Sequence, residues 1–332
     1  MKGFSIIICS HNPNEEIFNR LLNALENLDA FDIQFEVIII DNNSSPPLAS
    51  KVYVSDFLKK NVSVSVTIER NPGLTSARMA GIKRAKYDWL VFFDDDNEPY
   101  YNYLHYAKIA IHQFPNVGAW GPGQIKVEFE NKKKLNWIEN KKALFQEISM
   151  KHIEIDNKPF WCNCYPNGTG LIIKKEIAIE YLRLVENNVL TLTDRIGKSL
   201  NSGGDTQMVL LSIKLGYSAG LFPELKLNHL ISSKKINMLY ILRQAYMTSS
   251  CFVKAFNEIQ FHNNQIPIVL EGNKRIVNIF ILSLRSKLTS FEIRGFLIDL
   301  YSRLGEINAR YIASNNEHKP FILRIFEKLI NV

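Results

Sequence analysis

Long apolar runs are missing from this chain. None approaches the roughly 18 residues that a membrane-spanning helix requires, so no segment reads as a span. The N-terminal MKGFSIIICSHNP has only a short apolar run before polar residues, which reads as a first strand and not as a signal peptide. Cysteine is scarce. Cys9, Cys162, Cys164 and Cys251 form no disulfide framework, and CNC has the wrong spacing for a usual zinc pair, with no second pair to follow. They are expected to be reduced thiols in a cytoplasmic protein. Zinc-finger spacing and RNA-binding aromatic signatures are absent too, which argues against nucleic acid as a partner. There is no internal repeat and no low-complexity segment.

What is present is ordinary in bulk. A hydrophobic fraction of 46% and a charged fraction of 22% suit a folded globular protein. The 332 residues allow one large domain with an appendage, or two domains. The formal charge of +7 is unevenly placed. From Asn237 to Val332 there are twelve Lys/Arg against seven Asp/Glu, so this part carries five of the seven net charges. Such a balance is compatible with nucleic acid, with an anionic membrane surface, or with neither.

The first half alternates two patterns. Phe4–Cys9, Phe35–Asp41, Val62–Glu69 and Trp89–Asp94 read as strands, and the first, second and fourth are near-continuous apolar runs. Such runs are expected of parallel strands covered on both faces. Between them Glu15–Leu28, Leu48–Lys60 and Leu74–Ala85 have helix-compatible spacing. Strand–helix repetition predicts an α/β doubly wound sheet, which binds ligands at the carboxyl ends of its strands. Three strands end there in polar groups: Ser10-His11-Asn12, Asp41-Asn42-Asn43 and Asp94-Asp95-Asp96. A lone acidic triplet after an edge strand reads first as a solvated turn. Three polar strand ends converging on one edge read as a site. Three neighbouring carboxylates repel one another, and a cation normally seated among them would offset that cost.

The second part, after about Gly121, is less regular. Lys126–Lys142 is polar and reads as a mobile connection. Pro166-Asn167-Gly168 turns into a strand, Gly170–Ile173, and then a helix. A glycine turn precedes a helix from Asp205 to Leu215, followed by two short strands ending at His229. Beyond Asn237 the pattern is helical.

In order, SIIICSHN, EVIIIDNNSS, ERNPGLTSARMAGIKRAKYDWLVFFDDDNEP, NGTGLIIKKE and SGGDTQMVLLSIKLGYSAGLFPELKLNH resemble the inverting family-2 glycosyltransferases over roughly Phe4 to Leu230. The resemblance implies a GT-A nucleotide-sugar-binding fold, a mixed α/β sheet. It also implies a catalytic region 1–236, with a nucleotide-binding half 1–121 and an acceptor-side half 122–236, ahead of a helical region 237–332. Within it Asp94-Asp95-Asp96 resembles the family's Asp-x-Asp motif. Asp94 and Asp95 then lie near ribose and diphosphate, and Asp96 is the ligand of a Mn²⁺ or Mg²⁺ ion that neutralises the diphosphate. Asp41 resembles the carboxylate that accepts a hydrogen bond from a uracil or thymine base, although capping the helix after Pro47 would also use it. Cys9 and His11 fall where the family meets base and ribose, and Arg78 falls on an Arg that reaches the nucleotide. Burial of the first strand alone would account for Cys9. A polar loop is the plainer reading of His11, and the alternative for Arg78 is a solvated helix face, which the neighbouring Lys83 and Arg84 fit better.

GGDT resembles the family's Gly-Glu-Asp motif, with Gly204 in place of the usual acidic residue. That makes Asp205 the base that takes the acceptor hydroxyl's proton. Helix capping would also use Asp205, and a helix N-terminus favours negative charge. His229 stands where some relatives place a further metal ligand, and Trp161 resembles the aromatic wall of a sugar pocket. A polar strand end and a core Trp are the plainer readings of these two. The partners implied are a nucleotide-sugar donor, UDP-linked, and a glycan or polyprenyl-linked acceptor of polysaccharide biosynthesis. A sugar nucleotidyltransferase would need a glycine-rich phosphate loop after the first strand, and CSHNPNEE contains no glycine. A non-catalytic nucleotide or glycan binder need not keep the carboxylates, and here Asp41, Asp94, Asp95, Asp96 and Asp205 are all present. In the tail, Ile276, Ile279, Phe280 and Leu284 lie at helical spacing, with Lys274, Arg275, Arg285 and Lys287 at the two ends. This suits either a helical bundle or peripheral contact with an anionic membrane.

Overall fold

The computed structural model describes residues 3–60, 63–130, 136–139, 141–197, 199–261, 264–287 and 293–332. Strands β1 (Phe4–Ser10), β2 (Phe35–Asp41), β3 (Val64–Ile68) and β4 (Trp89–Asp94) run parallel in the order β3-β2-β1-β4. Helices α1 (Glu15–Glu26), α2 (Val52–Lys60) and α3 (Leu74–Arg84) connect them. Both strand faces are buried, as the continuous apolar runs predict. Ile6 and Ile8 pack with Phe18, Leu21 and Leu22 of α1 on one face. Ile7, Ile38 and Ile40 pack with Ala77 and Ala80 of α3 on the other. Each isoleucine so enclosed contributes about 1.5–3 kcal/mol.

The register sets Ser10 opposite Asp41 and Cys9 opposite Asp94, so the three polar strand ends share one edge. After β5 (Asn97–Pro99) and α4 (Tyr103–Gln113) come β6 (Val117–Phe129), α5 (Asn136–Glu139), β7 (Ile148–Ser149), β8 (Glu154–Asp156) and β9 (Leu171–Lys174). Helices α6 (Lys175–Glu186) and α7 (Gly204–Lys214) then lead to β10 (Ser218–Ile231). Among the described residues the sheet order is β3-β2-β1-β4-β9-β6-β10-β5, with β7 beside β6 and β8 beside β10. β9 is antiparallel to both neighbours, while β6 and β10 are parallel.

Two expectations change here. The connection beginning at Lys126 is in its first residues part of β6, where Val127 and Phe129 are buried; residues 131–135 and 140 of that stretch lie outside the described residues. The two short strands before His229 are one strand, β10, whose pairing with β6 shifts between Phe222 and Lys226. Pro223 sits in that shift, where a residue without an N–H interrupts the ladder least.

After β10 come α8 (Met238–Ile259), α9 (Asn273–Lys287), α10 (Ile293–Ala313) and α11 (Phe321–Leu329). Their apolar faces share a core with strand ends of the sheet. Val127, Phe129 and Ile231 pack with Ile241 and Tyr246 of α8, Leu304 of α10 and Leu323 of α11. Residues 288–292 and the side chains of Arg285 and Lys287 lie outside the described residues. Among the described residues no helix is long and apolar enough to cross a membrane.

Candidate active site

The acidic triplet begins on the last residue of β4. The Asp94 N–H donates to Asn97 Oδ1 at 3.1 Å, which closes a tight turn and directs the next two carboxylates apart. Asp95 accepts the Ser10 hydroxyl at 2.6 Å. Burial, together with the neighbouring Asp96 charge, pushes its pKa up to about 6. Asp96 is buried, and burial alone would raise its pKa. The Lys235 ammonium and the His229 ring outweigh that and hold it well below the usual carboxylate range. Lys235 Nζ lies 2.5 Å from Asp96 Oδ2, and His229 Nε2 lies 3.4 Å from Oδ1. The repulsion within the triplet is therefore offset in part by the protein itself. The sequence reading had assigned that work to a bound cation alone.

His229 is well posed as a ligand. Its Nδ1 meets the Phe145 carbonyl at 2.7 Å, and a carbonyl can only accept, so Nδ1 carries the proton. In the neutral ring Nε2 is then a lone pair facing Asp96 Oδ1. Two such acceptors at 3.4 Å are unfavourable unless a proton or a metal ion lies between them. A carboxylate oxygen and an imidazole nitrogen oriented by a carbonyl form a donor pair suited to Mn²⁺. Among the described residues no three His, Cys, Asp or Glu side chains gather for a metal, so this pair would hold an ion only with help from a substrate.

At the β2 end, Asp41 is buried with both oxygens in use. Oδ1 accepts the Ser44 N–H and Oδ2 the Leu48 N–H, each at 2.8 Å. Asp41 thus does cap the turn that begins after Pro47. Beside it, Asn42 donates to the carbonyls of Glu69 (3.1 Å) and Asn71 (2.7 Å) and accepts the Gly73 N–H (2.7 Å). It thereby clamps the loop entering α3. His11 is exposed, with Nδ1 2.7 Å from the Asn42 carbonyl.

Arg78 is not on a solvated helix face. It is buried and paired with buried Asp194 at 2.5 Å. Burial would favour its discharge, yet Asp194, Asp205 and Asp94 hold its pKa above the ordinary value. Asp194 also accepts the N–H groups of Gly203 (2.7 Å) and Gly204 (3.0 Å), and so caps α7 from a distance. The residue at the cap position is Gly203, and Asp205 lies in the first turn with its Oδ1 accepting the Thr206 N–H at 2.9 Å. Its Oδ2 accepts the Gly168 N–H at 2.8 Å. A Cβ at position 168 would come within 2.8 Å of that oxygen and 3.2 Å of Arg78 Nη2, so only glycine lets the three meet. A Cβ at 204 would come within 2.5 Å of Asp194 Oδ2. The acidic side chain missing at 204 thus has its place taken by a carboxylate from the 191–200 loop.

Two predicted residues are less open. Cys9 remains a thiol, because burial pushes its pKa up to about 12. Trp161 is half-buried and packs edge-on against Tyr165 (5.8 Å) and Phe252 of α8 (6.4 Å), so much of its ring is already covered. Sequence reasoning missed Asn42, Asp194 and Lys235. Asn42 follows a predicted site residue and was legible as part of a polar strand end. Asp194 and Lys235 lie in polar loops with no motif around them.

Glycosyl transferase family 2 matches residues 5–182. Poly-beta-1,6-N-acetyl-D-glucosamine synthase of Staphylococcus aureus (strain COL) is 28% identical over 121 residues, 33% of this chain and 27% of that protein. The Staphylococcus epidermidis synthase is 29% identical over 127 residues, 36% of this chain and 28% of that protein. The match thus spans only about a quarter of these relatives' length. Among solved structures, GalNAc-T7 with UDP, GalNAc and Mn²⁺ aligns at TM-score 0.53 and 15% identity over 99% of this chain and 57% of that one. S. aureus TarS 1-349 aligns at TM-score 0.47 and 15% identity, over 94% and 90%. With the family match covering more than half of its 332 residues and the strand order above, the chain belongs to glycosyl transferase family 2 and has a GT-A fold.

Proposed function

We propose that the protein is an inverting, divalent-metal-dependent transferase that moves a sugar from a UDP-linked donor to a glycan or lipid-linked glycan acceptor. The observation that carries this reading is the buried Asp96–His229 pair, with Nε2 3.4 Å from Oδ1 and the ring oriented by the Phe145 carbonyl. Asp96 Oδ1 and His229 Nε2 would hold the ion. A bound Mn²⁺ or Mg²⁺ supplies neutralisation of the donor's diphosphate. Asp94 and Asp95 line the same edge for ribose and phosphate. Asp41 and Asn42 act by fixing the loops that would surround the base, and His11 stands at their mouth. On the acceptor side Asp205 takes the proton of the attacking hydroxyl while Gly168 N–H fixes its rotamer. Arg78 lies between the two halves and, through Asp194, sets the first turn of α7 beside Asp205. The N-acetyl-D-glucosamine polymer of the synthases and the UDP in GalNAc-T7 make UDP-N-acetylhexosamines the first donors to assay. Division at about residue 236 into a transfer region and a helical region belongs to the same reading.

Asp96→Asn is expected to lose metal-dependent UDP binding and turnover together while the fold survives. Loss of groups that merely orient a ligand costs 10–100-fold in metal affinity, so loss of the ligand itself should cost about 100-fold or more. Titration calorimetry with UDP and Mn²⁺ tests it, and an unchanged affinity refutes the assignment. Lys235→Met should act in the opposite sense on the bare ion. Removing an ammonium 2.5 Å from Asp96 is expected to tighten Mn²⁺ binding on the order of tenfold or more, read by Mn²⁺ electron paramagnetic resonance. Weaker Mn²⁺ binding in that variant would show that Lys235 supports the ion instead of competing with it.

A further inference from the structure

We propose that α9 and α11, with the segment leading into α9, form one docking surface for an anionic lipid bilayer. Ile276, Ile279 and Ser283 of α9 point into the core. At 100° per residue, Phe280, Leu284, Val277 and Ile281 then occupy the adjoining arc of about 100°. All four are exposed, at 39%, 40%, 43% and 40%. α9 is thus apolar around more than half its circumference, well beyond what its own core contact uses. α11 repeats the arrangement with Phe321 (62%), Ile325 (41%) and Leu329 (64%) at four-residue intervals on its outer face. The Ile322 N–H donates to Asn273 Oδ1 at 3.0 Å and ties the starts of the two helices together. Val269, 60% exposed, lies on the approach to α9.

The charges beside these apolar rows decide the occupant. Lys274 and Arg275 on α9, and Arg324 and Lys328 on α11, are all exposed. α9 has no acidic residue, and on its approach Glu271 pairs with Arg275 at 3.5 Å, which among the described residues leaves Lys274, Arg324 and Lys328 as the uncompensated charges of the surface. The single acid of α11, Glu327, is buried and bonded to Tyr246 and Lys319, each at 2.6 Å. A protein partner would need an apolar face ringed by acids at matching positions. A bilayer with anionic headgroups presents an apolar interior and a negative plane together, and an apolar helix face flanked by Lys and Arg is the pattern of a helix lying in that interface. With 15 and 9 residues, α9 and α11 are too short to span the bilayer's hydrocarbon core, which takes about 20. They can only lie on the surface.

The surface lies outside the proposed donor and acceptor residues, and it rests on the function reading only for the idea of a lipid-linked acceptor. Sedimentation of the full chain with vesicles, in the absence of donor, tests it apart from catalysis. The protein is expected to pellet with phosphatidylglycerol vesicles at low salt, to stay in solution with phosphatidylcholine, and to be released by high salt. Each exposed Lys or Arg near the surface is worth about fivefold in partitioning, so Arg324→Glu with Lys328→Glu should lower it at least 25-fold. Phe321→Ser with Leu329→Ser, both exposed and thus harmless to the fold, should lower it as well. The proposal is overturned if the protein ignores anionic vesicles. It is equally overturned if the serine variant binds them as well as the parent does, since contact would then be through charge alone. It also fails if ultracentrifugation shows self-association that the serine variant abolishes, for the occupant is then a second copy.

Discussion

Asp205→Asn is expected to bind UDP and Mn²⁺ normally and to transfer sugar about 10²–10⁴-fold more slowly, the usual effect of removing a general base. The amide oxygen can still accept the Gly168 N–H that now reaches Oδ2 at 2.8 Å, so the side chain should keep its place. The amide nitrogen would then face the Thr206 N–H that now reaches Oδ1 at 2.9 Å, so a small loss of thermal stability, about 1 kcal/mol, is expected beside an intact fold. What the amide cannot do is take a proton. Single-turnover measurements at saturating donor separate this from a binding defect. If transfer in the variant stays near the parent rate, the base lies elsewhere. The Asp96 and Asp205 variants together divide the site, since the first should lose donor binding and the second only chemistry.

Asp194→Ala should be the most damaging single change to folding near the site. Removing one partner of a buried ion pair leaves the other charged and unsatisfied, at a cost of about 3–5 kcal/mol. Here Arg78 would lose its 2.5 Å partner, and the Gly203 and Gly204 N–H groups would lose their acceptor. A designed reversal makes the test specific. A side chain at 204 meets first the Asp194 carboxylate, 2.5 Å from where its Cβ would sit, and then the Tyr181 hydroxyl at 2.9 Å, which must give way slightly in any variant. Gly204→Asp should therefore destabilise the parent, yet restore part of the lost stability in the Asp194→Ala background by returning a carboxylate to Arg78. Urea denaturation of the four variants in the cycle reads this as a coupling energy. If the two changes simply add, or if Asp194→Ala costs under about 1 kcal/mol, Asp194 does not stand in for the missing acid.

This exchange also shows where sequence reading reaches its limit. Gly204 was legible as a departure from the family's acidic pattern, though not that another carboxylate takes the missing one's place. The supplier ten residues upstream was not legible, because Asp194 lies in an irregular loop whose path is set by long-range contacts. Lys235 was hidden in the same way. Its 139-residue separation from Asp96 is closed only because β10 runs antiparallel beside β5, directly after the triplet. At Trp161, an aromatic near the expected sugar pocket, the sequence did not announce the edge-on contact with Phe252 of α8. Helical spacing beyond Asn237 was visible, but not which ring faces α8 would cover.

The sequence alone determined the parallel β1-β2-β4 core, because continuous apolar runs fit only strands buried on both faces. It therefore also determined that Ser10, Asp41 and Asp94 would share an edge, since parallel strands in register must end together. The chemistry of the carboxylates followed from residue type and motif order. Only the tertiary structure decided which groups compensate them. Asp41 is taken by backbone N–H groups, Asp96 is shared between Lys235 and His229, and Arg78 is spent on Asp194. The physical reason is that burial depends on local hydrophobic pattern, whereas the partner of a buried charge depends on how distant loops pack, and nothing in the neighbouring residues encodes that.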